Sequence, residues 1–219
     1  MAKFNLYIVR HGQTYFNIFN KLQGWANSPL TKNGIAGAKV TGQKLANTKF
    51  TAAYCSDTTR AQVTLDIILH ENKASHNVNP VSSKLFREEF FGYYEGGDVD
   101  NTWYLAGAPH GLPSFKAIVK KYSIGKAKDF LKEADPFHMA ENNEDYWKRW
   151  DQAFQLMRNN PQVHDGDNVL LISHGNSVLS MVERFGGGKY DVTKRPANGS
   201  LTKLQVTDHG AKVTGYNIK

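Results

Sequence analysis

The sequence predicts a three-layer α/β/α sandwich built on a mostly parallel sheet with an antiparallel edge. Three observations carry this: short apolar runs rich in β-formers alternate with segments of helical periodicity, those runs end in polar loops, and the last part of the chain alternates like a hairpin. The 219 residues are 40% hydrophobic and 21% charged, enough for one large core. One domain over residues 1–219 is therefore expected, interrupted by an inserted segment at 98–142 after a loop that ends near Gly97.

The first strand is the apolar run Phe4 to Val9, which stops at Arg10-His11-Gly12 and delivers those residues to a loop. Ser28-Pro29-Leu30-Thr31 then precedes a helix from Lys32 to about Ala46, with Thr31 as its N-cap. Phe50 to Cys55 repeats the strand pattern and runs into Ser56-Asp57-Thr58-Thr59-Arg60 and a helix through Val63, Ile67 and Ile68. A weaker strand is expected at Val78 to Val81, before a loop from Leu85 to Gly97. Residues 98–142 break the rhythm with Pro109, Pro113 and Pro136 and several glycines, and are expected to form a helical insertion. A strong amphipathic helix follows over about Asn143 to Asn159. Its stripe of Tyr146, Trp150, Ala153, Phe154 and Met157 reads as core. The last parallel strand is Asn168 to Ile172, ending in Ser173-His174-Gly175-Asn176, and its helix stops at Gly186-Gly187-Gly188. Ser200 to Asn217 turns near Asp208-His209-Gly210, which suggests a hairpin.

Several functions are disfavoured by composition. No segment approaches the roughly 18–20 uninterrupted apolar residues of a membrane span, and residues 1–30 lack a signal-peptide pattern, so a cytoplasmic location without a membrane partner is expected. The single cysteine, Cys55, cannot form an internal disulfide and reads as a small buried residue. The formal net charge is +7 and the isoelectric point is about 9.3. The lysines are scattered and no nucleic-acid-binding motif is present, so a solvated basic surface, or a small anionic substrate, fits better than nucleic acid. Nothing in the pattern specifies an oligomer.

Three strand-end loops carry Arg10-His11, Arg60 and His174, and a fourth loop carries Glu88. A lone histidine is more often a hydrogen-bonded polar residue than a catalyst. Cations gathered at strand ends are another matter, because guanidinium forks match phosphate oxygens and stay charged at any working pH. A histidine flanked by two arginines is also expected to have its pKa lowered by like-charge repulsion, which keeps one ring nitrogen free to attack. No carboxylate cluster or His/Asp spacing suggests a metal site.

The residue strings go further. Arg10-His11-Gly12-Gln13-Thr14 with Asn17, Gln23-Gly24 and Leu30-Thr31 resembles the opening of the histidine phosphatase superfamily, also called the phosphoglycerate mutase-like family. Ser56-Asp57-x-x-Arg60-Ala61 resembles its second arginine loop, Arg87-Glu88-x-x-x-Gly92-x-x-Glu95-Gly96 its acid/base loop, and Ser173-His174-Gly175 its second histidine loop. The resemblance implies that His11 attacks phosphorus and becomes phosphohistidine, while Arg10, Arg60 and His174 bind the equatorial oxygens. Asn17 and the backbone around Gln23 and Gly24 would complete the phosphate pocket, with Glu88 as general acid and then base. Glu89 is a less fitting acid by its spacing to Gly92, and Glu95 is read as holding the loop. His70, His76, His164 and His209 fall outside the motifs, and His110 and His138, in the insertion, are candidates for substrate contact.

In this family the same pocket serves hydrolysis when water accepts the phosphoryl group, and mutation when a substrate hydroxyl does. The tryptophan-arginine-arginine-serine string of phosphoglycerate mutases is absent from Asp98 to Glu141, and Trp147-Lys148-Arg149-Trp150 is its nearest echo. A phosphomonoesterase acting on a small phosphorylated metabolite is therefore preferred, without metal or other cofactor. The alternatives are a mutase, which would use 2,3-bisphosphoglycerate, and a non-catalytic phosphate-binding module, whose expected mark, loss of the nucleophile or acid, is missing. Specificity is expected to lie in residues 98–142.

Overall fold

The computed structural model describes residues 2–219. Strand β1 (Phe4–Arg10) buries Phe4, Leu6 and Ile8 in one core and Val9 in another, so it is covered on both faces. β2 (Ala52–Cys55) is buried at every position, β3 (Val81–Ser82) is a two-residue exposed piece, and β4 (Asn168–Ser173) is buried from Val169 onward. The chain closes with the hairpin of β5 (Leu201–Thr207) and β6 (Gly210–Ile218). The sheet order is β3-β2-β4-β1-β5-β6, parallel through β1 and antiparallel beyond it. The expected strand at Val78 to Val81 is the weakest element in the sheet and forms three residues later, where Val81 and Ser82 reach the β2 edge.

After the single turn α1 (Tyr15–Ile18), helices α2 (Lys32–Lys44) and α3 (Thr59–Glu71) cover one face. There Ala61, Leu65 and Ile68 join Val9, Ala53, Leu170 and Ile172 in one core. Thr31 caps α2 as its position predicts, its hydroxyl accepting from the Gly34 amide at 2.9 Å.

The insertion is built of α4 (Val99–Gly107), α5 (Phe115–Lys121) and α6 (Ile124–Ala134). Each has a side-chain cap, from Asp98, Ser114 and Ser123 respectively. The prolines punctuate rather than prevent these helices: Pro109 lies in the short turn Ala108–His110, and Pro113 and Pro136 lie between helices. The insertion has its own core, where Trp103, Ile118, Phe130 and Leu131 meet Leu22 and Phe91 from the loops nearest β1 and Glu88.

On the opposite sheet face lie α7 (Asn143–Arg158) and α8 (Gly175–Phe185). All five residues of the predicted α7 stripe are buried, packed with Leu6, Ile8, Val169 and Leu171. The result is the α/β/α sandwich expected from the sequence. Among the described residues no helix is long and apolar enough to cross a membrane. Cys55 is buried, and burial pushes its thiol up to about 11.

This topology fixes where the chemistry gathers. β1 and β4 are parallel neighbours with Arg10 opposite Ser173, so the next residue of each strand, His11 and His174, leaves the same sheet edge. The His11 amide donates to the Ser173 carbonyl at 2.9 Å, which locks the two loops together.

Candidate active site

His11 is buried, and its Nδ1 lies 2.8 Å from the Gly12 carbonyl. A carbonyl only accepts, so that bond puts the ring proton on Nδ1 and leaves the lone pair of Nε2 for the cavity. The His11 pKa is held well below 6.5, by burial first and by the charges of Arg60 and Arg10 after it. Like-charge repulsion contributes as anticipated, but desolvation is the larger cause. Asn198 steadies the neighbourhood by donating to the His11 carbonyl at 3.0 Å and to Asn17 Oδ1 at 3.1 Å.

Arg10 donates through Nη1 to the Pro196 carbonyl, and its buried Nε has no partner. Burial lowers its pKa to about 10, helped by the charge of Arg195, so it stays a cation at neutral pH. Arg60 is fully buried at the start of α3. It donates to the carbonyls of Gln23, Gly24 and Ala26 and to His174 Nδ1 at 3.2 Å. A guanidinium only donates, so His174 Nδ1 accepts and its Nε2–H points at Ser56 Oγ, 2.9 Å away. The His174 ring lies 5.3 Å from that of His11 and is likewise held well below 6.5, by burial and then by Arg60.

Glu88 faces these groups from the loop before α4. Its Oε2 accepts from the Asn176 amide at 2.7 Å, and its Oε1 from Ser177 Oγ at 2.7 Å and the Glu89 amide at 3.0 Å. The carboxyl thus rests on the first turn of α8, where helix N–H groups are free to donate. Glu89 is buried and does not line the cavity, its Oε2 accepting from Asn176 Nδ2 at 3.2 Å. Burial pushes its carboxyl up to about 8, against the pull of Lys128 and with the push of Glu88.

Two further groups hold the loops that carry these residues. Glu95 accepts from the amides of Gly24, Trp25, Ala26 and Phe91, tying the 23–26 loop to the acid loop. Arg149 on α7 donates to the carbonyls of Leu85, Arg87 and Glu88 while its Nε and Nη2 grip Glu141 at 2.7 Å.

One cavity of about 40 Å³ brings together Arg10, His11, Asn17, Gln23 and Glu88. That is room for on the order of three waters. Gln23 Oε1 accepts from Thr14 Oγ1 at 2.7 Å, and its buried Nε2 is left without a partner. Arg60 and His174 form the wall behind His11 rather than the cavity surface. Gly24 does not reach the cavity either: its amide and carbonyl are taken by Glu95 and Arg60. A Cβ at Gly24 would collide with the Glu89 carbonyl and the Glu95 carboxylate, so glycine is required there for close approach. His110 stacks on Phe130 at 3.5 Å and His138 bonds the Lys132 carbonyl, so neither lines the cavity. No side chain of residues 98–142 lines it at all.

The cavity has members the sequence motifs did not mark. Lys21 and Arg195 line it, and Asn176 is its junction, with its amide on Glu88 and its side chain between Glu89 and Arg195. Asn176 follows the Ser173-His174-Gly175 string directly and was within reach of it. Arg195 lies in a loop before β5 with no strand-end or helical signal. Arg149 belongs to the Trp147-Lys148-Arg149-Trp150 string, yet it clamps the acid loop instead of facing the cavity. Among the described residues no group of three histidines, cysteines or carboxylates is arranged to hold a metal ion.

The family model of the histidine phosphatase superfamily (branch 1) matches residues 6–104. A 2,3-bisphosphoglycerate-dependent phosphoglycerate mutase from Methanococcus vannielii is 30% identical over 191 residues, 81% of this chain and 79% of the relative. The fructose-2,6-bisphosphatase TIGAR of Xenopus tropicalis is 38% identical over 97 residues, 44% of this chain and 35% of its own. The crystal structure of phosphoglycerate mutase from Bacillus anthracis str. Sterne superposes with a TM-score of 0.88 at 30% identity, covering 99% of this chain and 94% of that one. With the strand-end histidines, the arginines and the acid loop already in place, these likenesses show that the chain belongs to the histidine phosphatase superfamily, a family of phosphoryl-transfer enzymes.

Proposed function

We propose that the protein is a phosphomonoesterase that hydrolyses a small phosphorylated metabolite through a phosphohistidine at His11. The observation that carries this reading is the His11 ring itself, neutral, anchored through Nδ1 and opening Nε2 on a cavity whose far wall holds Glu88. Nε2 attacks phosphorus, the ester P–O bond breaks, and the leaving alkoxide takes its electron pair and a proton from Glu88. A water then attacks the phosphohistidine, Glu88 accepts its proton, the P–N bond breaks and phosphate leaves. Arg10, Gln23 Nε2 and the Asn17 side chain bind the phosphoryl oxygens, and Arg60, whose buried Nε is unpartnered, adds positive potential from behind, with the neutral His174 ring fixed against it. Gly24 shapes this pocket by letting its loop pack closely. Charge stabilisation comes from the protein's own cations, so the reaction needs no metal, and the enzyme works in the cytoplasm.

Water is preferred as acceptor because residues 98–142 contain no arginine and place no side chain in the cavity to hold a substrate for transfer back to it. The mutase reading keeps its place through the 30% identity and 0.88 TM-score to proteins of that name. It would add 2,3-bisphosphoglycerate as the priming phosphoryl donor.

His11→Ala is expected to abolish hydrolysis of 4-nitrophenyl phosphate with the fold intact, while a chelator leaves the native enzyme unaffected. Turnover retained by His11→Ala would overturn the mechanism. The acceptor is decided by supplying 3-phosphoglycerate with and without 2,3-bisphosphoglycerate and following 2-phosphoglycerate against free phosphate. Rapid isomerisation without phosphate release would establish the mutase.

A further inference from the structure

We propose that Glu89 and Lys128 are positioning residues for Glu88, a buried carboxyl and ammonium joined to the acid through Asn176, by which the insertion takes part in proton transfer. This rests on reading Glu88 as the general acid of a phosphoryl-transfer cavity, and it holds whether water or a hydroxyl is the acceptor.

Glu89 and Lys128 are each only 1% exposed. Glutamate and lysine are almost never buried so far unless paired. Lys128 Nζ, on α6, donates to Ser180 Oγ at 2.8 Å and lies 4.4 Å from the centre of the Tyr146 ring. The Ser180 hydroxyl donates its own proton to the Asn176 carbonyl at 2.8 Å, so toward Lys128 it only accepts. Asn176 in turn donates through its side chain to Glu89 Oε2 at 3.2 Å and through its amide to Glu88 Oε2 at 2.7 Å. One residue thus links the ammonium and both carboxyls, while Glu89 Oε1 is buried without a hydrogen bond among the described residues. Two charges held by neutral contacts fasten the insertion weakly and are costly to desolvate. Their influence is electrostatic, and it falls on Glu88.

The neighbouring charges narrow that influence to these three groups. Glu141 and Glu183 also act on Lys128, but Arg149 grips Glu141 at 2.7 Å, and Glu183 accepts from the Ile124 amide at 2.7 Å. Arg195 feels Glu88 and Glu89 from the loop before β5, where its Nε is bound to Asn176 Oδ1 at 2.9 Å. Tyr146 on α7 presents a phenol that burial keeps neutral. Burial lowers the Lys128 ammonium and raises the Glu89 carboxyl, and each charge restrains the other's shift. During turnover Glu88 alternates between carboxyl and carboxylate. The ammonium offsets the negative charge left when Glu88 gives its proton away, and Glu89 opposes it. The residue that is acid in one step can therefore be base in the next.

Two measurements test this, and the first needs no substrate. The Glu89 carboxyl is titrated by carbon-13 NMR in protein labelled at its glutamate carboxyls, the resonance being assigned by its loss in Glu89→Gln. Its midpoint, about 8 in the native protein, is expected to fall in Glu88→Gln, which removes a neighbouring negative charge, and to rise in Lys128→Met, which removes the offsetting cation. In turnover, Glu89→Gln leaves the Lys128 charge acting on Glu88 alone and weakens it as a proton donor. The value of kcat/KM should then fall at least about 10-fold more for glycerol 3-phosphate, whose alkoxide must be protonated, than for 4-nitrophenyl phosphate. Adding Lys128→Met to Glu89→Gln should return the ratio of the two substrates to within about 3-fold of the native value. A Glu89 midpoint unmoved in Glu88→Gln, equal losses for both substrates in Glu89→Gln, or no recovery in a folded double variant would overturn the inference. If Lys128→Met does not fold, the near-isosteric Glu89→Gln and Glu88→Gln decide it. Absence of turnover by the native protein would instead count against the enzyme reading, and the titration would still decide whether the three groups act on one another.

Discussion

His11 and His174 are two imidazoles buried side by side, and both are kept neutral by the same surroundings. Their folded pKa values lie well below 6.5, so below about pH 6.5 the unfolded chain binds more protons than the folded one. Their contribution to stability is therefore complete above about pH 6.5 and is lost as pH falls from there toward the folded values. The expected slope is up to about 1.4 kcal/mol per pH unit for each ring. Urea denaturation at pH 7.5, 6.5 and 5.5 should show this decline, and His174→Asn should make it shallower. A slope unchanged by that substitution would mean that other groups carry the acid sensitivity. For activity, the same shift keeps His11 a nucleophile on the acid side of neutrality. Of the residues themselves, His11, Arg10, Arg60, Glu88 and His174 were readable because each lies in a short string at a strand or helix boundary. Arg195 was not, because a side chain's approach to a cavity from an irregular loop leaves no periodic trace.

At the scale of elements, the acid loop is the piece most dependent on its neighbours. It contains only single 3-10 turns, Lys84–Phe86 and Gly92–Tyr94, and takes its shape from outside itself. Arg149 binds three of its carbonyls from α7, and Glu95 gathers amides from both this loop and the 23–26 loop. A lysine at position 149 has one compact ammonium where the fork reached three carbonyls and a carboxylate. Arg149→Lys is expected to lower kcat about 10- to 100-fold through displacement of Glu88, with a smaller change in KM. Arg149 acts through the loop, so the loss in kcat should be larger for a substrate whose leaving group must be protonated than for one that leaves unprotonated. Equal loss in kcat for a substrate whose leaving group needs no protonation would argue against displacement of the acid. The helices were legible here and the loop was not: the α7 stripe repeats at helical spacing, whereas the loop's bonds join residues up to 89 positions apart.

Over the whole molecule, the three largest of the four hydrophobic cores among the described residues divide the work. One lies on each face of the sheet, and a third lies under the insertion, reaching the catalytic loops through Leu22 and Phe91. Trp150 is fully buried in the first and packs near Phe86 and Phe154. Trp150→Ala is expected to cost about 3–5 kcal/mol, read as a lower urea midpoint with little change in the steepness of the transition. Because Phe86 precedes the acid residue by two positions, the same variant should lose activity below its unfolding range. The loss of a ring on the far side of the insertion core would not do this.

The sequence by itself determined the sandwich, the position of the antiparallel edge, and the strand-end strings that mark a phosphoryl-transfer family. These are local properties, because period-two and period-3.6 burial and a residue's distance from a strand end are written along the chain. Only the tertiary structure decided which nitrogen of His11 is free, that burial outweighs repulsion in keeping it neutral, and that Arg60 and His174 stand behind the cavity rather than in it. It also put Lys21 and Arg195, which no motif marks, on the lining of the cavity. Those outcomes depend on desolvation and on hydrogen-bond direction between residues far apart in sequence, and both exist only after the sheet has brought β1 and β4 together.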